Sequence, residues 1–134
     1  MKLLFVAALV GLLASAAVHL AAANSLPLPE AVFVLQVGLL ILAVPLAASI
    51  RQPPQGAPRL NYWWNAWRES PLKLQALTLL LSVYMLHQAS AWVGGLPVER
   101  AGLFLRLLSS AWMCAYAIEA AFLASAATAR RSLS

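Results

Sequence analysis

The sequence predicts an all-α fold, an integral membrane four-helix up-and-down bundle, on three observations. Four apolar runs are each about 20 residues or longer, enough to cross a hydrocarbon core of roughly 30 Å. Charge is scarce: of 134 residues, 63% are hydrophobic and only 10% charged, with a mean hydropathy of +0.81. A soluble domain of this size needs far more charge to cover its surface. The third observation is one long polar interval, Arg51 to Lys73, which divides the apolar runs into two pairs. The whole chain, 1–134, reads as a single membrane domain with spans at about 3–23, 31–50, 72–93 and 101–128.

The first span begins with Lys2 and runs apolar through His19 to Ala23. A basic start, an apolar core and small residues also make up a secretory signal peptide, and Ala14-Ser15-Ala16 or Ala21-Ala22-Ala23 would serve as a cleavage site. The length of the run favours a retained spanning helix. Ala7, Gly11 and Ser15 form a small-every-fourth stripe suited to close helix packing. Asn24 to Glu30 is a turn, with Pro27 and Pro29 stopping one helix before the next. The second span, 31–50, carries Gln36 near its start and Pro45 as a kink toward its end.

Loop 51–71 holds Arg51, Arg59 and Arg68 against the single acid Glu69, and Lys73 follows it. Basic residues beside spans favour the cytoplasmic side, and Trp and Tyr rings favour the headgroup layer. Tyr62, Trp63, Trp64, Trp67 and Arg68 are therefore the candidate membrane-interface residues, on a short interfacial helix within LNYWWNAWRE. The lipid bilayer is the expected partner of this loop, and a protein partner could bury it instead. The third span, from Leu72, has Ser70 as cap and Pro71 in its first turn, and Gly94, Gly95 and Pro97 end it. The fourth starts near Arg100 and closes at Arg130 and Arg131. Counting basic residues places both termini on the cytoplasmic side.

A pI near 10.2 raises nucleic acid as a partner. The basic residues cluster at span ends, however, which suits anionic headgroups and orientation rather than a phosphate-tracking groove, so no nucleic-acid partner is expected. The lone Cys114 leaves neither a disulfide framework nor a thiolate zinc cluster within one chain, and Asp is absent altogether. There is no glycine-rich phosphate loop, GxSxG, HExxH or CxxC, so no catalytic residues are assigned.

Polar groups within spans are expensive, which makes each a functional candidate until a structural partner explains it. By helical rise His19 lies on the order of 10 Å outward of its span's midpoint, His87 and Gln36 about 7 Å, and Arg106 about 13 Å. Tyr84, His87 and Gln88, at i, i+3 and i+4, share one face that is expected to turn inward. Ser109, Trp112, Tyr116 and Glu119 share another on the fourth span. His19, His87, Gln88 and Arg106 thus form the candidate cofactor-binding cluster. Two histidines on separate helices at similar depth could hold a b-type haem or a metal, whose identity stays unknown. A quinone or lipid headgroup could meet His87, Gln88 and Arg106. No cofactor is predicted outright.

The stretches HLAAANSLPLPEAVFVLQVGLLILAVPL, WRESPLKLQ and LRLLSSAWMCAYAIEAAFLASA resemble a family of small bacterial four-span membrane proteins of uncharacterised activity. His19, Pro27, Pro45, Pro71, Trp112 and Met113 fit its pattern, whereas Gln36 stands where that pattern carries a His. The resemblance implies the architecture and a bacterial inner (cytoplasmic) membrane as its place, and no activity. The leading functional expectation is a non-enzymatic accessory or interaction subunit. The alternatives are a haem- or quinone-binding redox protein using His19 and His87, and a small proton-coupled transporter. The chain is similar in size to four-span multidrug exporters, which carry a membrane Glu in the first helix; here that helix has none.

Overall fold

The computed structural model describes residues 2–29, 31, 32, 34, 36 and 59–131. Among them the secondary structure is entirely helical: α1 (Lys2–Ala23), α2 (Arg59–Arg68), α3 (Leu72–Gly94) and α4 (Arg100–Arg131). Ala31, Val32, Val34 and Gln36 are also helical, while the rest of the expected second span, its Pro45 kink and the 51–58 part of the loop lie outside the described residues. Among the described residues three helices are long and apolar enough to cross a membrane: Leu3–Ala23, Leu72–Gly94 and Arg100–Ser125.

α4 is the central element. Some 61% of its apolar stretch is buried against 11% for α3, and both α1 and α3 pack along it. The reason is side-chain size. The buried side of α4 is lined by Ser109, Ser110, Ala117, Ala120 and Ala121, which let neighbouring backbones approach closely. α1 answers with Ala8, Gly11, Ser15, Val18 and Ala22 on one buried face. The small stripe of α1 therefore runs through Ala8 and not through Ala7, which is exposed. Ala8 lies in the cluster formed with Ala120 and Leu123, with Leu4, Phe5, Leu9 and Leu74 packed around it, and this contact sets the rotation of the helix.

α3 packs along α4 but buries little of its own surface. Thr78 is buried, and the Ser82 hydroxyl lies 3.2 Å from Cys114 Sγ. Both hydroxyls also donate back along their own helix, to Leu74 O and Thr78 O at 2.8 Å, so neither is left unsatisfied in an apolar setting. Its opposite side exposes Leu72, Leu79, Leu80, Val83, Leu86 and Val93.

The junction of α2 and α3 differs from the expected cap. Pro71 itself occupies the N-cap position, with no side-chain cap, and the Ser70 hydroxyl donates to Trp67 O at 2.7 Å. Gln75 does the joining: its amide nitrogen lies within 3.3 Å of Trp67 O, Arg68 O and Ser70 O, closing the carbonyl end of α2 from the first turn of α3. Ala66 is buried, and α2 packs against α4.

Candidate functional site

Three helices meet at His19. Its Nδ1 lies 2.8 Å from Ser109 Oγ on α4, and its Nε2 lies 2.6 Å from the Tyr84 hydroxyl on α3. The His19 and Tyr84 rings pack edge to face with centroids 5.3 Å apart. Ser109 has backbone acceptors of its own, Leu105 O at 2.8 Å and Arg106 O at 3.1 Å. With the serine proton given to its own helix, Ser109 Oγ accepts from Nδ1–H, and Nε2 accepts from the tyrosine O–H. One proton per group then satisfies every bond of the node.

The node continues along α1. One turn before His19, Ser15 Oγ lies 2.8 Å from Gly11 O and 2.8 Å from Gln36 Oε1. One turn beyond it, Arg106 Nη2 donates to Ala23 O at 3.0 Å, placing a cation at the carbonyl end of α1, where the helix dipole favours it. Arg106 Nε is buried and, among the described residues, has no hydrogen-bond partner. The turn that follows contains Ser25 in the left-handed region (φ 54°), stabilised by a Leu26 N–H bond to Ala21 O at 2.9 Å. Beside it lies an open cavity of about 450 Å³ lined by Ser25, Val98, Glu99, Gly102, Leu103 and Arg106.

The sequence-predicted cluster is thus divided. His19 is only 7% exposed and fully engaged by protein groups; Arg106 is half-buried and bonded to α1. His87 is exposed, Gln88 half-buried, and the face expected to turn inward contributes only Tyr84, itself 38% exposed, to the node. A metal bond at His19 would have to displace Ser109 or Tyr84. Among the described residues no three His, Cys, Asp or Glu side chains stand close enough to share an ion. On α2, Tyr62 and Trp67 are half-buried while Trp64 and Arg68 are exposed. The side chain of Trp63 lies outside the described residues. The node's third member, Ser109, was visible in the sequence only as part of a helix face, and Glu99 and Gly102 carried no signal.

A second polar pair lies nearer the other end of α4. Glu119 is 5% exposed and Tyr116 1%, and among the described residues neither Glu119 Oε2 nor the Tyr116 hydroxyl has a partner. An unmade bond of this kind costs about 1–3 kcal/mol. Glu119→Met is therefore expected to raise stability by about 1 kcal/mol, and Tyr116→Phe to leave it unchanged or higher. Thermal unfolding in detergent checks both; a clear loss in either variant means that the oxygen is bonded after all.

No family model, curated protein or solved structure matches the chain.

Proposed function

We propose that this chain is a four-span, up-and-down helical bundle of a bacterial inner membrane, with both termini cytoplasmic, acting as a non-enzymatic accessory or interaction subunit. The membrane placement is supported by the three helices of spanning length and by the apolar run 31–50. The orientation is supported by Lys2, the basic loop, Arg130 and Arg131. The single observation that carries the interaction role is the exposure of His87.

His87 lies about 7 Å outward of the middle of its span by helical rise. Roughly 8 Å of hydrocarbon then separates it from water. That is too far for an imidazole, which lacks the long stem by which Lys and Arg snorkel. A polar group left on an outer helix face at this depth faces another protein surface. The same face carries Tyr84 and the Ser90 hydroxyl, which donates to His87 O at 2.8 Å. The Trp-rich α2, with Trp64 59% exposed, extends the available surface at the cytoplasmic end.

A photo-reactive amino acid placed at His87, irradiated in native membranes, is expected to give one discrete protein adduct. The same label at Leu13, which is exposed on α1, is expected to give lipid adducts alone. Lipid adducts at both positions would remove the interaction role and leave the membrane reading standing.

A further inference from the structure

The cavity between the end of α1 and the start of α4 holds two opposite charges that do not pair with each other. Arg106 and Glu99 both line it, and among the described residues no ion pair joins them. Glu99 ends the turn that precedes α4, where its carbonyl accepts from Leu103 N at 3.1 Å, and Arg106 lies seven residues further along, about 10 Å by helical rise. Arg106 is held in place by its bond to Ala23 O. A guanidinium that lines the cavity and is tied down at one nitrogen keeps further N–H donors with which to bind an anion. Glu99 is exposed, and among the described residues none holds its carboxylate. Val98 and Leu103 supply apolar wall, and Gly102 keeps the centre open, since a Cβ built there meets nothing within 4 Å. About 450 Å³ is within the range of small-molecule sites.

An anion-binding group and a cation-binding group in one partly apolar cavity, at the membrane boundary of two spanning helices, define a zwitterionic amphiphile. We infer that the cavity binds the headgroup of an ethanolamine phospholipid, with its phosphate on Arg106 and its primary ammonium on Glu99. The ammonium brings N–H donors that a carboxylate can accept, which a choline headgroup lacks. A glycerol headgroup brings no positive charge for Glu99 at all. The inference rests on the membrane placement proposed above, and lipid selectivity separates the two: a chain that needs detergent but binds all lipids alike loses the inference and keeps the placement.

The experiment is native mass spectrometry of the full chain in mild detergent, titrated with ethanolamine, choline and glycerol phospholipids of identical acyl chains. The wild type is expected to prefer the ethanolamine lipid, and Glu99→Gln to lose about tenfold in affinity for it, the worth of one charge-assisted bond, while binding of the glycerol lipid is retained. Gly102→Leu fills the cavity without meeting a neighbour at Cβ, so it is expected to lower binding of all three lipids in a folded protein. Arg106→Lys keeps the charge and is expected to weaken phosphate binding while preserving the ethanolamine preference. Equal binding of the three lipids by the wild type, or an unchanged preference in Glu99→Gln, overturns the inference. So does competition by free phosphoethanolamine at the same concentration as the lipid, which would make the ligand a soluble one.

Discussion

Replacing Gly11 by valine is expected to unseat α1 from α4 and to cost about 3 kcal/mol, the upper end of what overpacking takes from a closely packed interior. The cause is local. A Cβ at Gly11 would lie 2.6 Å from Tyr116 Cζ and 2.7 Å from Tyr116 Cδ1, inside van der Waals contact. The ring has little room to retreat, because Tyr116 is 1% exposed and its α4 neighbours Ala117 and Ala120 are fully buried. Alanine tests the balance of two effects. In a helix interior it gains about 1 kcal/mol over glycine. The clash must exceed that gain, so Gly11→Ala is expected to lose about 1 kcal/mol net and valine far more. Shortening the opposing side chain should restore the space. Gly11→Ala combined with Tyr116→Leu is expected to be more stable than the sum of the single changes requires, whereas Tyr116→Phe, which keeps the ring, rescues nothing. Denaturant unfolding in detergent micelles, followed by fluorescence of the tryptophans, measures the cycle. A Gly11→Val protein as stable as the wild type would show that α1 does not rest on Tyr116.

Helix existence and ends were legible in the sequence because both are one-dimensional properties. Apolar runs bounded by Lys2, by Gly94, Gly95 and Pro97, and by Arg130 and Arg131 map closely onto α1, α3 and α4. Which way a helix faces was harder to read. His19 and His87 come out at similar depth, yet one is buried at a junction of three helices and the other is exposed. Depth follows from counting residues; rotation about the axis follows from which small side chains the neighbour accepts. α3 is turned by Thr78 and Ser82 against α4, not by the polar Tyr84, His87 and Gln88 stripe, and only Tyr84 has the length to reach round to His19. The same cause separates Ala7 from Ala8. The cavity beside Arg106 was invisible for a related reason: Ser25 on the turn after α1 and Glu99 and Gly102 on the other side of it are far apart in sequence. Ser70 illustrates a different failure. Its spacing before Pro71 fits a cap, but the preceding helix ends only two residues earlier, at Arg68, and its carbonyl Trp67 O takes the hydroxyl instead.

His19→Leu is expected to cost about 2 kcal/mol, and the way that cost is divided decides what the histidine does. Leucine keeps comparable bulk, so the loss reports bonds more than a cavity. Hydrogen bonds between helices in a membrane are worth about 0.6 kcal/mol on average and rarely above about 1.7. The two partners stand differently. Ser109 retains Leu105 O and Arg106 O, so losing the imidazole leaves it satisfied and its share is the smaller. Among the described residues the Tyr84 hydroxyl has no hydrogen-bond partner besides His19, but with 38% of its surface exposed it can turn outward, which trades an unsatisfied hydroxyl for lost contact between α1 and α3. Tyr84→Phe is therefore expected to cost about 1 kcal/mol and Ser109→Ala about half that. In a double-mutant cycle His19 should couple more strongly to Tyr84 than to Ser109. Oxidised and reduced absorbance spectra of the same preparations carry the redox alternative alongside. A colourless protein with this pattern of couplings makes His19 the polar fastening of three helices. A Soret band that vanishes in His19→Leu, with no loss of coupling to Tyr84, would make it a ligand instead.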